Sequence, residues 1–124
     1  MNKKRVIIVE DDKLLANVLK RMANKLNLDV IHVSSTGTDA VEKIKQDAPD
    51  LIFMDILLAD NINGIEAMKK IREKVNSPVI YISALSDHQV RSDAASVSNS
   101  YYMLKPVDLH ELKIAVNSAQ HAAA

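Results

Sequence analysis

The sequence predicts an α/β protein, built as a doubly wound parallel sheet of five strands with helices on both faces. Short apolar runs alternate five times with longer segments of mixed polarity, and this alternation is typical of consecutive βαβ units. The runs contain few polar residues, as expected for strands that are buried on both faces. With 124 residues, the chain is long enough for one such domain and too short for two.

Each strand is predicted from its own apolar run. Residues 6–9 are all β-branched, which is typical of a buried strand. A short run with His32 inside it follows. Pro49 and Pro78 precede two further runs, and the residue before a proline favours extended backbone over helix. The predicted strands are residues 6–9, 29–33, 51–54, 79–82 and 101–104.

The first three helices are predicted from apolar residues at helical spacing. The first covers residues 13–26. The second begins after Thr36, which together with Asp39 resembles a capping box, and it ends before Pro49. The third follows a polar loop over residues 59–64. Its apolar face contains Ile65, Met68 and Ile71.

The last two helices differ in the strength of their pattern. Residues 86–97 predict a helix only weakly, because Ser, Asp and His dilute the apolar stripe. Asp108 with Glu111 three residues later predicts the cap of a final helix. We expect residues 121–124 to form a frayed tail.

Composition excludes several classes of function. The 16 basic and 16 acidic residues balance, so we expect no direct binding of nucleic acid. Cysteine is absent, which excludes disulfides and thiolate metal sites and agrees with a reducing compartment. No apolar stretch is long enough to span a membrane. Neither a GxGxxG nor a GxxxxGK[ST] motif is present, so no nucleotide site is predicted.

Acidic residues follow two of the predicted strands. Glu10, Asp11 and Asp12 follow the first, and Asp55 follows the third. In a parallel sheet these carboxylates converge at the carboxyl edge, where open α/β sheets bind ligands. Clustered carboxylates repel one another unless a cation lies between them, and a hard divalent cation suits oxygen ligands. Taken singly, such acids also cap the next helix or are simply solvated.

A hydroxyl and an ammonium group follow the two remaining strands of this edge. Ser83 follows the fourth strand and Lys105 the fifth. Ser83 is expected either to cap the next helix or to donate to an anion, and Lys105 either to lie in a turn or to meet a phosphoryl oxygen. Together with the acids, this set indicates metal-assisted phosphoryl transfer to a carboxylate. The histidines have no metal-ligand spacing; they are His32, His88, His110 and His121.

These residues resemble the receiver domain of two-component response regulators over nearly the whole chain. The matching pieces are VIIVEDD, PDLIFMDILL, NGIEAMKKIR, VIYISA and YYMLKP, in this order and spacing. The resemblance implies a flavodoxin-like sheet in the order 2-1-3-4-5. It also implies a cytoplasmic phosphoprotein that is no enzyme in the usual sense, but promotes its own Mg²⁺-dependent phosphorylation and dephosphorylation.

The resemblance assigns the acidic residues to a phosphoacceptor site. Asp55 would accept a phosphoryl group from a phosphohistidine on a sensor histidine kinase or phosphotransfer protein. Glu10 and Asp11 would hold Mg²⁺, with Asp11, Asp55 and the backbone carbonyl of Leu57 as direct ligands and waters completing the octahedron.

The resemblance also implies a switch. Ser83 and Lys105 would contact the phosphoryl oxygens, and Tyr102 would move inward when Ser83 shifts. The bond between Lys105 and Pro106 would be cis. The signal would pass through the fourth helix, fifth strand and fifth helix to an output domain or partner protein. By the resemblance, Leu57 and Leu85 would occupy the positions that tune dephosphorylation; the alternative is that both leucines only pack the loops.

Three departures from the commonest pattern stand out. The loop after Asp55 is one residue longer before Gly64, and Ala59 replaces the usual proline. Ser100 and Tyr101 stand where many DNA-binding regulators carry an acidic pair. Val107 replaces the frequent phenylalanine after Lys-Pro.

Two other functions compete with a phosphorylated receiver. A haloacid-dehalogenase-like phosphatase would use Asp55 as nucleophile, but it needs an acid two residues later, where Leu57 cannot donate a proton. A degenerate receiver would act only as a binding module, although the complete set of acidic, hydroxyl and lysine residues argues against this.

Overall fold

The predicted fold class is confirmed by a computed structural model, which describes residues 3–122. Five strands form one parallel sheet in the order β2-β1-β3-β4-β5. The strands are β1 (Lys4–Val9), β2 (Leu28–Ser34), β3 (Leu51–Met54), β4 (Val79–Ser83) and β5 (Ser100–Leu104). The helices are α1 (Lys13–Lys25), α2 (Gly37–Asp47), α3 (Gly64–Ile71), α4 (His88–Ala95) and α5 (Leu109–Ala122).

Two apolar cores cover the sheet, one on each face. Ile7 and Val9 of β1 belong to the core beneath α2, α3 and α4, whereas Val6 and Ile8 belong to the core beneath α1 and α5. This alternation follows from the two-residue period of a strand. Because both faces of the three inner strands are covered, β1, β3 and β4 are mainly apolar and their polar side chains lie at or after the strand ends. The edge strand β2 carries Asp29 and His32 within it. Within residues 3–122, no helix is long and apolar enough to cross a bilayer.

The register of the sheet brings the predicted strand ends together. Val9 of β1 lies opposite Met54 of β3, and Met54 lies opposite Tyr81 of β4. The ladder continues past the strands, because the Asp55 amide donates to the Val9 carbonyl and the Lys105 amide donates to the Ser83 carbonyl, each at 2.9 Å. The residues that follow β1, β3, β4 and β5 therefore share one edge of the sheet.

Helix α2 begins as predicted, but its capping box is only half formed. The Thr36 hydroxyl accepts a hydrogen bond from the Asp39 amide at 3.1 Å. The Asp39 carboxylate does not return the bond; its Oδ2 accepts from the Ser34 hydroxyl at 2.7 Å and lies 2.9 Å from His32 Nε2. These bonds, the one with His32 above all, hold the pKa of Asp39 below its usual value. A complete capping box forms instead at the start of α3, between Asn63 and Glu66.

The weakly predicted fourth helix forms, and the final helix extends into the expected tail. Helix α4 forms over His88–Ala95, with Asp87 as its N-cap, and Ala94 is the one residue within it that is fully buried. Helix α5 is capped by the Asp108 carboxylate, which accepts from the Glu111 amide at 3.0 Å. It continues to Ala122, so it includes the first two residues of the expected tail, while residues 123–124 lie outside the described part.

Candidate functional site

Three carboxylates meet at the carboxyl edge of β1 and β3. Glu10, Asp11 and Asp55 each place an oxygen within 4.8 Å of the others. Glu10 and Asp55 are buried, with 2% and 5% exposure, whereas Asp11 is exposed at the rim. The neighbouring acid Asp12 does not join them, because its carboxylate caps α1 by accepting from the amides of residues 14 and 15. The acidic run after β1 is thus divided between a site and a helix cap.

The buried carboxylate of Glu10 is incompletely neutralised. Its Oε2 accepts from the Asp12 amide at 3.1 Å, but its Oε1 has no hydrogen-bond partner within the described chain. Lys105 Nζ lies 3.2 Å from that Oε1, as a charge contact without hydrogen-bond geometry. Burial, together with the nearby charge of Asp55, raises the pKa of Glu10 to about 7. The environment therefore favours either a proton or a further cation beside Glu10.

Lys105 supplies the positive charge of the site. Its Nζ lies 3.3 Å from Asp55 Oδ2, and so contacts both buried acids. Burial lowers the pKa of Lys105, but the charges of Asp55 and Glu10 outweigh burial and the net shift is upward. The ammonium thus remains charged at neutral pH. The peptide bond between Lys105 and Pro106 is cis, as the resemblance implied.

The donor set fits a hard divalent cation. The cluster offers carboxylate oxygens only, and one of them, Glu10 Oε1, is buried and lacks a hydrogen bond. A single ammonium group cannot balance three carboxylates, and oxygen ligands at this spacing suit Mg²⁺. Ile56 is buried and Leu57 is 59% exposed, so the chain reaches the surface within two residues of Asp55.

Ser83 is buried at the end of β4, beside the start of the Lys105 loop. Its hydroxyl accepts from the Leu85 amide at 3.0 Å. The expected alternative role as the cap of α4 is not observed, because Asp87 takes that position. Ser83 therefore holds the turn after β4.

The two tyrosines of β5 point to opposite faces of the sheet. Tyr102 is half-buried, and its hydroxyl donates to the Leu85 carbonyl at 2.6 Å. Its ring lies 6.3 Å from that of Tyr81 and carries the Arg91 guanidinium at 5.0 Å. Tyr101 packs against the core under α5, and its hydroxyl approaches the carbonyl of residue 118 at 3.4 Å. Tyr102 thus connects β5 to the loop between β4 and α4.

Two glycines that sequence analysis did not assign to the site border the loop after Asp55. A Cβ atom at Gly64 would lie 2.1 Å from the Asp55 carbonyl oxygen, and one at Gly37 would lie 2.7 Å from the Ile62 carbonyl oxygen. The Gly64 amide also donates to the Ile56 carbonyl at 2.7 Å. The chain contains only these two glycines. Their scarcity could have indicated that each is needed where two backbone segments approach closely.

Comparison with known proteins decides the family. The family model described as the response regulator receiver domain matches residues 6–117. This chain belongs to the response regulator receiver domain family. The receiver domain is 33% identical to the response regulator ArlR of Staphylococcus saprophyticus over 108 residues, which cover 87% of this chain and 48% of that protein. It is 30% identical to the transcriptional regulatory protein CrdR of Helicobacter pylori, covering 89% and 52% respectively.

Solved structures of other receiver domains share the fold. The signal receiver domain of a modulated diguanylate cyclase from Desulfovibrio desulfuricans superposes with a TM-score of 0.88 at 30% identity, covering 98% of this chain and 96% of that one. The response regulator domain of Thermotoga maritima CheB gives a TM-score of 0.82 at 28% identity, with coverage of 98% and 96%. The receiver domain spans about half the length of the curated relatives it matches. It is a two-component signalling module with a flavodoxin-like fold.

Proposed function

We propose that this receiver domain accepts a phosphoryl group on Asp55 from a phosphohistidine of a sensor histidine kinase or phosphotransfer protein. The observation that carries the proposal is the contact of Lys105 Nζ with the buried carboxylates of Asp55 and Glu10. This contact places the ammonium group of the half-buried Lys105 side chain directly beside the Asp55 carboxylate. Such an arrangement is ready to stabilise additional negative charge beside the acceptor.

The phosphoryl transfer forms one bond to phosphorus and breaks another. An oxygen of the Asp55 carboxylate bonds to phosphorus as the phosphorus–nitrogen bond of the donor breaks, and the imidazole nitrogen keeps that electron pair. Lys105 would then face the phosphoryl oxygens. The Ser83 hydroxyl accepts a hydrogen bond from the Leu85 amide, so its own proton is free to be donated to them. Glu10, Asp11, Asp55 and the Leu57 carbonyl would hold Mg²⁺, which neutralises charge on the acids and the incoming group.

Phosphorylation by a small-molecule donor tests this function. The domain is incubated with acetyl phosphate, with and without Mg²⁺, and resolved by Phos-tag electrophoresis. We expect an acid-labile phosphorylated band that requires the metal and disappears with a chelator. A band undiminished by the chelator, or no band with any donor including a phosphorylated kinase, contradicts the proposal.

We further propose that the domain works in the cytoplasm and promotes its own phosphorylation and dephosphorylation without acting on a separate substrate.

Asp11 and Lys105 are expected to affect Mg²⁺ binding in opposite directions. Asp11→Asn removes a ligand and a charge, so the Mg²⁺ dissociation constant should rise roughly tenfold or more. Lys105→Ala removes a competing cation 3.2 Å from Glu10, so Mg²⁺ should bind equally or more tightly while phosphorylation is impaired. Calorimetric or NMR titration measures both constants. A large loss of Mg²⁺ affinity in Lys105→Ala would contradict this division of roles.

The lifetime of the phosphoryl group is proposed to depend on Leu57 and Leu85. Neither side chain can orient a water for attack on the acyl phosphate, and both can exclude it. Leu57 is 59% exposed at the rim, whereas Leu85 also packs against the core under α4, so packing alone remains a sufficient role for Leu85.

Polar side chains at these positions should therefore shorten the lifetime. Leu57→Asn and Leu85→Glu are each expected to speed the decay of the phosphorylated domain. In the double variant the decay rate should rise on the order of tenfold, which is less than an optimally placed general base contributes. A decay time course of the phosphorylated domain measures the rates. Unchanged or slower decay in all three variants contradicts the assignment.

The signal is proposed to leave through the surface formed by α4, β5 and α5, toward an output domain or partner protein. Helix α4 is held by little buried apolar surface, which makes it the element most easily displaced. Tyr102 bonds to the Leu85 carbonyl two residues after Ser83, so a shift of Ser83 would alter the support of that ring.

Amide exchange with and without beryllofluoride tests this surface. Beryllofluoride bound to Asp55 mimics an aspartyl phosphate, and we expect exchange rates to change within residues 83–110. An Asp55→Asn variant, which cannot hold the mimic, provides the control. Changes confined to residues outside 83–110 contradict the proposed surface.

A further inference from the structure

Asp60 makes three hydrogen bonds across the molecule from the loop that follows Asp55. Its Oδ1 accepts from the Gly37 amide at 3.0 Å, and its Oδ2 accepts from the Thr38 amide at 3.0 Å and the Thr38 hydroxyl at 2.8 Å. These bonds, that from the Gly37 amide above all, lower the pKa of Asp60 to about 2. A partly exposed loop carboxylate is thus held at the positive end of the α2 dipole.

A role as a cap for α2 alone does not account for this arrangement. Helix α2 already has its own cap, because the Thr36 hydroxyl accepts from the Asp39 amide. Asp60 satisfies the amides of Gly37 and Thr38 from a position more than twenty residues away in the chain. Thr36 caps α2 from within the same segment, so it cannot connect the helix to the loop. Asp60 makes that connection.

Asp60 is the polar contact of a loop that also has apolar ones, since Leu58 packs against the core under α2, α3 and α4. The carboxyl end of the loop is held by the capping box of Asn63 and by the approach of Ile62 to Gly37. In the described structure, Asp60 is the one side chain of residues 57–61 that hydrogen-bonds outside the loop. Asp60 therefore supplies the polar anchor of the stretch between the buried end of β3 and the start of α3, which contains Leu57.

We propose that Asp60 is a positioning residue of the phosphoacceptor site, which holds the loop after Asp55, and with it the Leu57 carbonyl, against the start of α2. This inference rests on the proposed function, because the Leu57 carbonyl matters there as a ligand of Mg²⁺. Residues that orient metal ligands typically change metal affinity when they are replaced. The long loop without proline is thereby stiffened by an ion–helix contact.

Two variants separate positioning of the loop from capping of the helix. Asp60→Ala releases the loop, while Thr36→Ala weakens the same helix end and leaves the loop attached. Titration with Mg²⁺, followed by amide NMR shifts, should give a dissociation constant roughly tenfold higher for Asp60→Ala and within about twofold of wild type for Thr36→Ala. Asp60→Asn, whose amide oxygen can still accept from Gly37, should fall between them. Equal constants for Asp60→Ala and Thr36→Ala would overturn the proposal.

Amide exchange measured without metal tests the positioning of the loop by itself. It therefore separates failure of this inference from failure of the proposed function. Residues 56–62 should exchange about tenfold faster in Asp60→Ala than in Thr36→Ala, whether or not Mg²⁺ binds. If the wild-type domain binds no Mg²⁺, the proposed function fails, and the exchange data alone decide whether Asp60 positions the loop. Unchanged exchange in Asp60→Ala overturns the inference, as does faster exchange with unchanged Mg²⁺ affinity.

Discussion

Replacing Asp55 by asparagine is expected to abolish phosphate incorporation into this receiver domain. The amide that replaces the carboxylate is a far weaker nucleophile toward phosphorus and carries no charge to hold the metal. The change keeps the size of a side chain that is 5% exposed, so the fold should persist. Incubation with acetyl phosphate and Mg²⁺, followed by Phos-tag electrophoresis and intact-mass measurement, should show no phosphorylated species.

A neighbouring acid provides the matched control for Asp55→Asn. Asp12 lies on the same edge but its carboxylate caps α1, a role that asparagine also fills well. Asp12→Asn should therefore be phosphorylated at close to the wild-type rate. Equal labelling of Asp55→Asn and the wild-type domain, or loss of labelling in Asp12→Asn alone, would show that the acceptor has been assigned to the wrong residue.

Gly64→Ala is expected to cost about 3 kcal/mol or more of the free energy of unfolding. The added Cβ would lie 2.1 Å from the Asp55 carbonyl oxygen and 2.9 Å from Met54 Cγ. The first of these is backbone at the end of a central strand, and cannot move without disturbing the sheet. Because Gly64 has no positive φ, the cost is steric. Denaturant unfolding measures it, and phosphorylation should fall as Asp55 is displaced.

Gly37→Ala is the comparison for this steric effect. Its Cβ would meet the Ile62 carbonyl oxygen at 2.7 Å, also too close, but Ile62 lies outside the sheet, so its backbone can move at a smaller cost than that of Asp55. We expect a loss of about 1–2 kcal/mol. A Gly64→Ala variant that loses less stability than Gly37→Ala would contradict the view that the backbone of Asp55 is the rigid partner.

Most of the fold could be predicted because its signals are local. Apolar runs, prolines and helix caps act over one to four residues, so the strand at Leu51–Met54 and the caps at Thr36 and Asp108 follow from nearby sequence. The edge that carries the site also follows, since parallel strands place their carboxyl ends together. Sequence alone therefore determined the fold class, the number of strands and the group of candidate residues.

The partners of individual side chains were decided by tertiary structure. The run of acids after β1 did not by itself show which of them would enter the site. The family resemblance named Glu10 and Asp11, and the structure brings these two together with Asp55 while Asp12 caps α1. The sequence predicted a capping box for Asp39, but the Asp39 carboxylate accepts a hydrogen bond from Ser34 of β2 instead. The sequence did not indicate that Asp60 would contact α2.

The physical reason lies in the distance along the chain over which these contacts act. A cap depends on the conformation of its own turn, whereas the contacts of Lys105 with Glu10 and of Asp60 with Gly37 join residues far apart in sequence. Such contacts exist only after strand order and register are set, and packing of the two cores on both faces of the sheet sets them. The sequence determined which groups are present at the edge, and the packed sheet decided which of them touch.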